Sequence, residues 1–208
     1  MPHSTTVPDV FIIESLSAQD PHDGKILADM LRLAGKNPIY YTCKDSDSFI
    51  AGLKIFAASQ YRFLHLSCHG TTDSIKFQSG DILDYMAFSS LFEGIKLNVT
   101  RLFFSACELG NQNLSLELFK KNKSLYSFVA PCQPITFGNA LAIWCSFYIA
   151  MFDISCSSMK ETDIINKLDK IIQVFDAKFH VSRHNTKLKE MWHYNLPTSP
   201  TPYDKTKL

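Results

Sequence analysis

The chain has 208 residues, a formal net charge of +1 and six cysteines. That length buries one sizeable core without requiring a second domain. The mixed charge pattern carries no basic footprint for nucleic acid, and the first residues lack the basic start and apolar run of a signal peptide. The cysteines lack paired spacing, and Cys68 and Cys145 sit inside apolar runs. They read as reduced thiols of a cytoplasmic protein, so the two Asn-x-Ser/Thr sequons, at Asn98 and Asn113, are chance matches.

In chain order, residues 1–9 read as an N-terminal extension and Val10 to Glu14 as a first strand. Ser15 to Asp23 is polar and reads as a loop. Ile26, Leu27, Met30, Leu31 and Ala34 recur at helical spacing up to a stop at Gly35, and Ile39 to Cys43 is a second strand. Asp45 to Ser48 supply caps for an amphipathic helix carrying Phe49, Ile50, Leu53, Phe56 and Ala57. Tyr61 to Gly70 is a strand ending on His69. In the weakly periodic stretch Thr71 to Ser90, Ile75 to Phe77 and Asp81 to Leu83 pair as a hairpin around Ser79-Gly80, and the stretch reads as a mobile wall of a substrate cleft. Phe88 to Phe92, capped by Ser89 or Ser90, is a short helix.

Thr100 to Cys107 is a second apolar strand with a chemically capable residue at its end, followed by a polar break from Glu108 to Asn113. Leu114 to Phe119 is helix and Leu125 to Pro131 strand. Asn139 to Phe152 is highly apolar, but about 20 apolar residues are needed to cross a bilayer, so it reads as a buried helix and no membrane span is expected. Ser158-Met159-Lys160-Glu161 has capping-box form before an amphipathic face of Ile164, Ile165, Leu168, Ile171, Ile172, Phe175 and Phe179. Met191 to Leu196 closes the sheet, and 197–208 is a flexible tail. Repeated strand and helix alternation predicts an α/β three-layer sandwich: about six mostly parallel strands with helices on both faces, spanning 10–196. Side-by-side parallel strands would bring His69 and Cys107 together at the carboxyl edge, where open α/β folds place their chemistry.

These residues resemble a family. His65-Leu66-Ser67-Cys68-His69-Gly70 is similar to the strand ending in His-Gly of caspase-like cysteine peptidases. Ser105-Ala106-Cys107 resembles the Ser-Ala-Cys of their CHAT branch. Tyr126 to Trp144 and Trp192 are similar to the strand, Pro-containing turn, apolar helix and final-strand tryptophan of the same domains. The resemblance implies a caspase-like fold, Cys107 as nucleophile, His69 as general base, and the backbone N–H groups of Gly70 and Cys107 as oxyanion hole. No third acidic residue is implied. Glu108 departs from the smaller or basic residue of many relatives, and the 208 residues hold no repeat or sensor domain. A regulatory partner chain, as in prokaryotic defence and cell-death systems with similar peptidases, is then expected to supply the trigger.

The chemistry suits these residue types. A thiol of pKa about 8.5 is mostly protonated at neutral pH, and a neighbouring imidazole takes its proton as it attacks a carbonyl. Preorganised N–H donors then hold the oxyanion, and glycine admits a peptide close to the backbone. Singly, a buried cysteine or a strand-end histidine is usually structural, but the pair in this order favours catalysis. Cys68 and His65 read as packed neighbours. Asp73, Asp84 and Glu108 are candidates for binding a basic substrate side chain, against the plainer reading as solvated loop acids. His180, His184 and His193 lack ligand spacing for a metal, no Gly-rich phosphate loop follows the first strand, and no cofactor is expected. The expected activity is a cysteine endopeptidase acting on a protein or peptide substrate. The alternatives are a catalytically silent caspase-like binding or scaffold module and, more weakly, a flavodoxin-like small-molecule binder.

Overall fold

The computed structural model describes residues 7–154, 159–185, 189–197 and 204–207. Its elements are β1 (Val7–Ser15), α1 (Asp23–Leu33), β2 (Ile39–Thr42), α2 (Ser46–Ser59), β3 (Tyr61–Gly70), β4 (Ser74–Lys76), β5 (Ile82–Asp84) and α3 (Tyr85–Ser90). They continue with β6 (Thr100–Ser105), α4 (Gln112–Lys121), β7 (Leu125–Pro131), α5 (Phe137–Ile154), α6 (Glu161–Gln173), β8 (Phe179–Asn185), β9 (Glu190–Leu196) and β10 (Asp204–Lys207). The main sheet runs β10-β9-β8-β7-β6-β3-β1-β2. The strands β2, β1, β3, β6 and β7 are mutually parallel, while β8, β9 and β10 add on antiparallel. The small antiparallel ribbon β4-β5 grows from the end of β3.

The α/β sandwich predicted by strand and helix alternation is what forms, and the parallel strands explain the apolar runs. Buried on both faces, they put alternate side chains into two separate cores. On one face Phe11, Leu64, Leu102, Phe104 and Phe128 pack with Phe49, Leu53 and Phe56 of α2, Phe88 of α3 and Leu114 and Leu118 of α4. On the other, Val10, Ile12, Phe63, Phe103 and Val129 pack with α1, α5 and α6. In α5, Trp144, Phe147 and Tyr148 are fully buried and form edge-on contacts with Phe103 or with one another. Each such ring contributes about 1.5–3 kcal/mol by burial. This helix is 18 residues long and apolar enough, by length and composition only, to span a membrane, and 39% of it is buried, along the face that packs on the sheet.

Several boundaries differ from the sequence reading. β1 begins at Val7, inside the expected N-terminal extension. Asp84, not Ser89 or Ser90, caps α3, its carboxylate accepting from the Ala87 N–H at 2.7 Å. Ser158 lies outside the described residues, and the N-cap of α6 is Lys160, which makes no side-chain capping bond. Helix α6 stops at Gln173, and Asp176 turns the chain with φ +48°, so Phe179 starts a strand rather than extending a helical face. The sheet therefore has more strands than the six expected, the additions being antiparallel. In the expected flexible tail, Asp204–Lys207 form β10, paired with β9. That pairing uses backbone groups, with Gln112 Nε2 donating to Asp204 and Thr206 at 2.8 and 2.9 Å.

Candidate active site

Register builds the site. Strands β3 and β6 pair with Ser67 opposite Ser105. Period-two alternation then puts His65, Ser67 and His69 in one column and Phe103, Ser105 and Cys107 in the next, on the face covered by α1 and α5. His69 lies within β3 and Cys107 two residues beyond β6. Both line one small cavity of ≈ 50 Å³, with Ile135 and Phe137 among its other walls. The structure thus brings together the two residues singled out by sequence.

The contacts of each are specific. His69 Nε2 is 3.0 Å from Asp20 Oδ2, and its ring meets Phe137 edge-on at 5.9 Å. The Cys107 thiol donates to the Ile135 carbonyl at 3.3 Å and accepts from the Ile135 N–H at 3.4 Å. Among the described residues no hydrogen bond joins Sγ to His69. Unliganded sites commonly hold such pairs apart and tighten when substrate arrives.

Asp20 is the residue that sequence reasoning missed. It sits in the loop after β1, which the β1–β3 pairing lays beside His69. Its carboxylate also accepts from the Ser17 N–H at 3.0 Å and the Ser17 hydroxyl at 2.8 Å. The His69 and Ser17 bonds lower its pKa to about 2, so it is ionised at any working pH. With Nε2 held by Asp20, the ring's other nitrogen is the one available to a thiol. Asp20 orients the His69 ring; for the peptidase activity proposed below, Asp20→Ala is expected to lower kcat about tenfold with KM unchanged, read by initial rates on a cleaved peptide. An unchanged kcat would leave Asp20 with no part in orienting His69.

Gly70 is sterically obligatory. A Cβ there would stand 2.7 Å from the Cys107 carbonyl oxygen and 2.5 Å from Leu109 Cγ. The backbone after β3 thereby lies against the turn that carries Cys107. Glu108, next along that turn, takes a left-handed φ of +58° and donates its N–H to the Gln133 carbonyl at 3.4 Å. For a residue other than glycine this conformation costs about 1–3 kcal/mol and is characteristic of functional turns.

The three acids considered for substrate binding do not share this geometry. Asp73 is exposed and accepts from Thr71 Oγ1 at 2.7 Å, Asp84 is committed to capping α3, and Glu108 flanks Cys107 in the chain. None of them lines the cavity of His69 and Cys107. The stretch Thr71 to Ser90 is also tethered rather than loose. Tyr85 donates its hydroxyl proton to the Thr71 carbonyl at 3.1 Å, Gln78 N–H reaches Ser15 Oγ at 2.9 Å, and Phe77 and Phe88 pack on Phe49. Cys68 behaves as a packed neighbour, burial driving its thiol pKa well up.

Beneath His69 and Cys107 lies a buried polar layer. Asp23, at the start of α1, accepts from both Ser67 Oγ and Ser105 Oγ, and burial raises its pKa. Beside it Glu14 accepts from the Gly24 N–H at 2.8 Å and the Tyr40 hydroxyl at 2.5 Å, and pairs with His22 Nδ1 at 2.8 Å. Buried carboxylates persist only when so satisfied.

No family model matches the sequence, and no curated protein matches it. The fold is similar to a solved structure described as the complex of Porphyromonas gingivalis RgpB pro- and mature domains, at 10% sequence identity and a TM-score of 0.48. The alignment covers 81% of this chain and 44% of that one, so this chain spans less than half the length of its structural neighbour.

Proposed function

We propose that the protein is a cysteine endopeptidase of the caspase-like, CHAT type. The observation that carries the reading is the convergence of His69 and Cys107 on one cavity at the carboxyl edge of adjacent parallel strands, with Asp20 bound to the histidine. Cys107 Sγ attacks the scissile carbonyl carbon while His69 takes the thiol proton. The N–H groups of Gly70 and Cys107 receive the oxyanion. Collapse expels the amine, which leaves with the proton from His69, and the thioester is then hydrolysed by water activated at the same imidazole. The substrate is a protein or peptide, and no cofactor enters.

The bonds of Cys107 to Ile135 and the small cavity describe a resting site. For attack Sγ must leave Ile135 and turn to His69, with the segment from Cys132 to Phe137 moving aside. A regulatory partner chain acting on that segment is the trigger consistent with this geometry. The competing reading, a catalytically silent scaffold, draws on the same small cavity.

Incubating the purified protein, alone and with its genomic neighbours, with a proteome-derived peptide library separates the two. We expect new termini sharing one sequence preference, present with wild type and absent with Cys107→Ala. Identical peptide maps from the two proteins under both conditions would favour the scaffold.

A further inference from the structure

A second cavity, of ≈ 260 Å³, opens at the other end of the parallel strands and is lined by Arg101, Tyr126, Lys160, Glu161, Thr162 and Arg183. Arg101 stands near the start of β6, Tyr126 near the start of β7, and Arg183 on β8 opposite Ser127. Its walls carry three cations against one carboxylate. Glu161 is ion-paired with Arg183, whose Nη2 also donates to the Tyr126 hydroxyl at 2.8 Å. The Arg183 Nε is buried without a hydrogen-bond partner among the described residues. Both guanidinium groups stack on Tyr126, at 4.9 Å for Arg101 and 5.4 Å for Arg183, and Arg183 also faces Trp192 at 5.7 Å.

For Arg183 the cost of burial is outweighed by Tyr126 and Glu161, which together raise its pKa, and Arg101 Nη1 donates to Ser127 Oγ at 3.3 Å. Arg101 is only 6% exposed. Burial lowers its pKa to about 10; Arg62 and Arg183 add repulsion, which Tyr126 and Glu161 oppose. The first turn of α6 opens at the same place, its N-cap residue Lys160 making no side-chain capping bond, and adds the positive end of a helix dipole.

We propose that this cavity binds the phosphate group of a small molecule, gripped by Arg101, Arg183 and Lys160. A phosphate brings close to two negative charges and several acceptor oxygens, matching convergent guanidinium forks better than one planar carboxylate does. Tyr126 in the cavity wall, and Trp192 against Arg183, hold the guanidinium planes in position before a ligand arrives. The site is distinct from that of His69 and Cys107 and does not depend on proteolysis.

Calorimetric titration of the full chain at constant ionic strength tests this, with inorganic phosphate, ATP and citrate as probes. We expect saturable one-site binding of phosphate or ATP and none of comparable strength for citrate. Lys160 is exposed, so Lys160→Gln should fold normally and weaken binding by about tenfold, as loss of one charge-assisted contact does. Glu161→Gln removes the competing carboxylate and should tighten binding, a change that mere destabilisation would not produce. Absence of saturable binding of phosphate and ATP, citrate binding as tightly, or affinity unmoved in Lys160→Gln would each overturn the assignment.

Discussion

Cys107→Ala is expected to lower peptide cleavage by about 10⁴-fold or more, and His69→Ala by a comparable factor. The double variant should be scarcely worse than either single one, because nucleophile and base serve one covalent route and removing either closes it. Cys68→Ala, which alters a thiol packed in the core, should keep full activity at some cost in stability. The measurement is initial-rate kinetics on the preferred peptide, with circular dichroism confirming that each variant is folded. Losses that multiply in the double variant would mean that His69 and Cys107 act in separate steps.

Acid should unfold this protein early. Burial lowers the pKa of His65 to about 3 and those of His180 and His193 to about 4. His65 packs edge-on to Trp144, its Nδ1 3.2 Å from the Tyr148 hydroxyl. His180 and His193 flank Ser182, which lies 2.6 Å from His180 Nε2 and 3.0 Å from His193 Nδ1. In the unfolded chain each histidine takes up its proton near pH 6.5, at about the ordinary value. Between that pH and the folded values the unfolded chain binds more protons, so stability falls as pH falls. For the fully buried His65 the loss from pH 7 to 5 is on the order of 2 kcal/mol, a large share of a typical domain's stability, and His180 and His193 act in the same direction. Asp23 acts in the opposite sense, because its raised pKa lets the folded chain gain a proton first. Urea unfolding at pH 7, 6 and 5 reads the balance; an unchanged midpoint would mean that the folded core accepts these protons.

The parallel half of the sheet was legible because its strands are buried on both faces and read as unbroken apolar runs, ending where chemistry begins. His69 and Cys107 stand at the ends of two such runs, and their reading as base and nucleophile rests on the resemblance of the His-Gly and Ser-Ala-Cys motifs. The antiparallel half was harder. Phe175 and Phe179 continue the spacing of the α6 face, and only the backbone turn at Asp176 separates them, so Phe179, the first residue of β8, reads as part of that helix. β10 has no apolar alternation because it is an edge strand held by its backbone. Asp20 gave no signal because it lies in a polar loop with no periodicity, and its partnership with His69 arises only once β1 and β3 lie side by side. Asp84 sits in the loop expected to face the substrate, yet the start of the following helix claims its carboxylate.

Ser67 and Ser105 face each other across β3 and β6 and share the Asp23 carboxylate, two residues before His69 and Cys107 respectively. That carboxylate acts as a gauge on both strands at once. Sliding either strand by one residue would swap a serine for the apolar Leu66 or Phe104, or for Cys68 or Ala106, and strand a buried acid without one of its donors. Misregistered pairings are thereby penalised where an error would separate thiol from imidazole. The alignment of His69 with Cys107 is thus held by a buried layer beneath them.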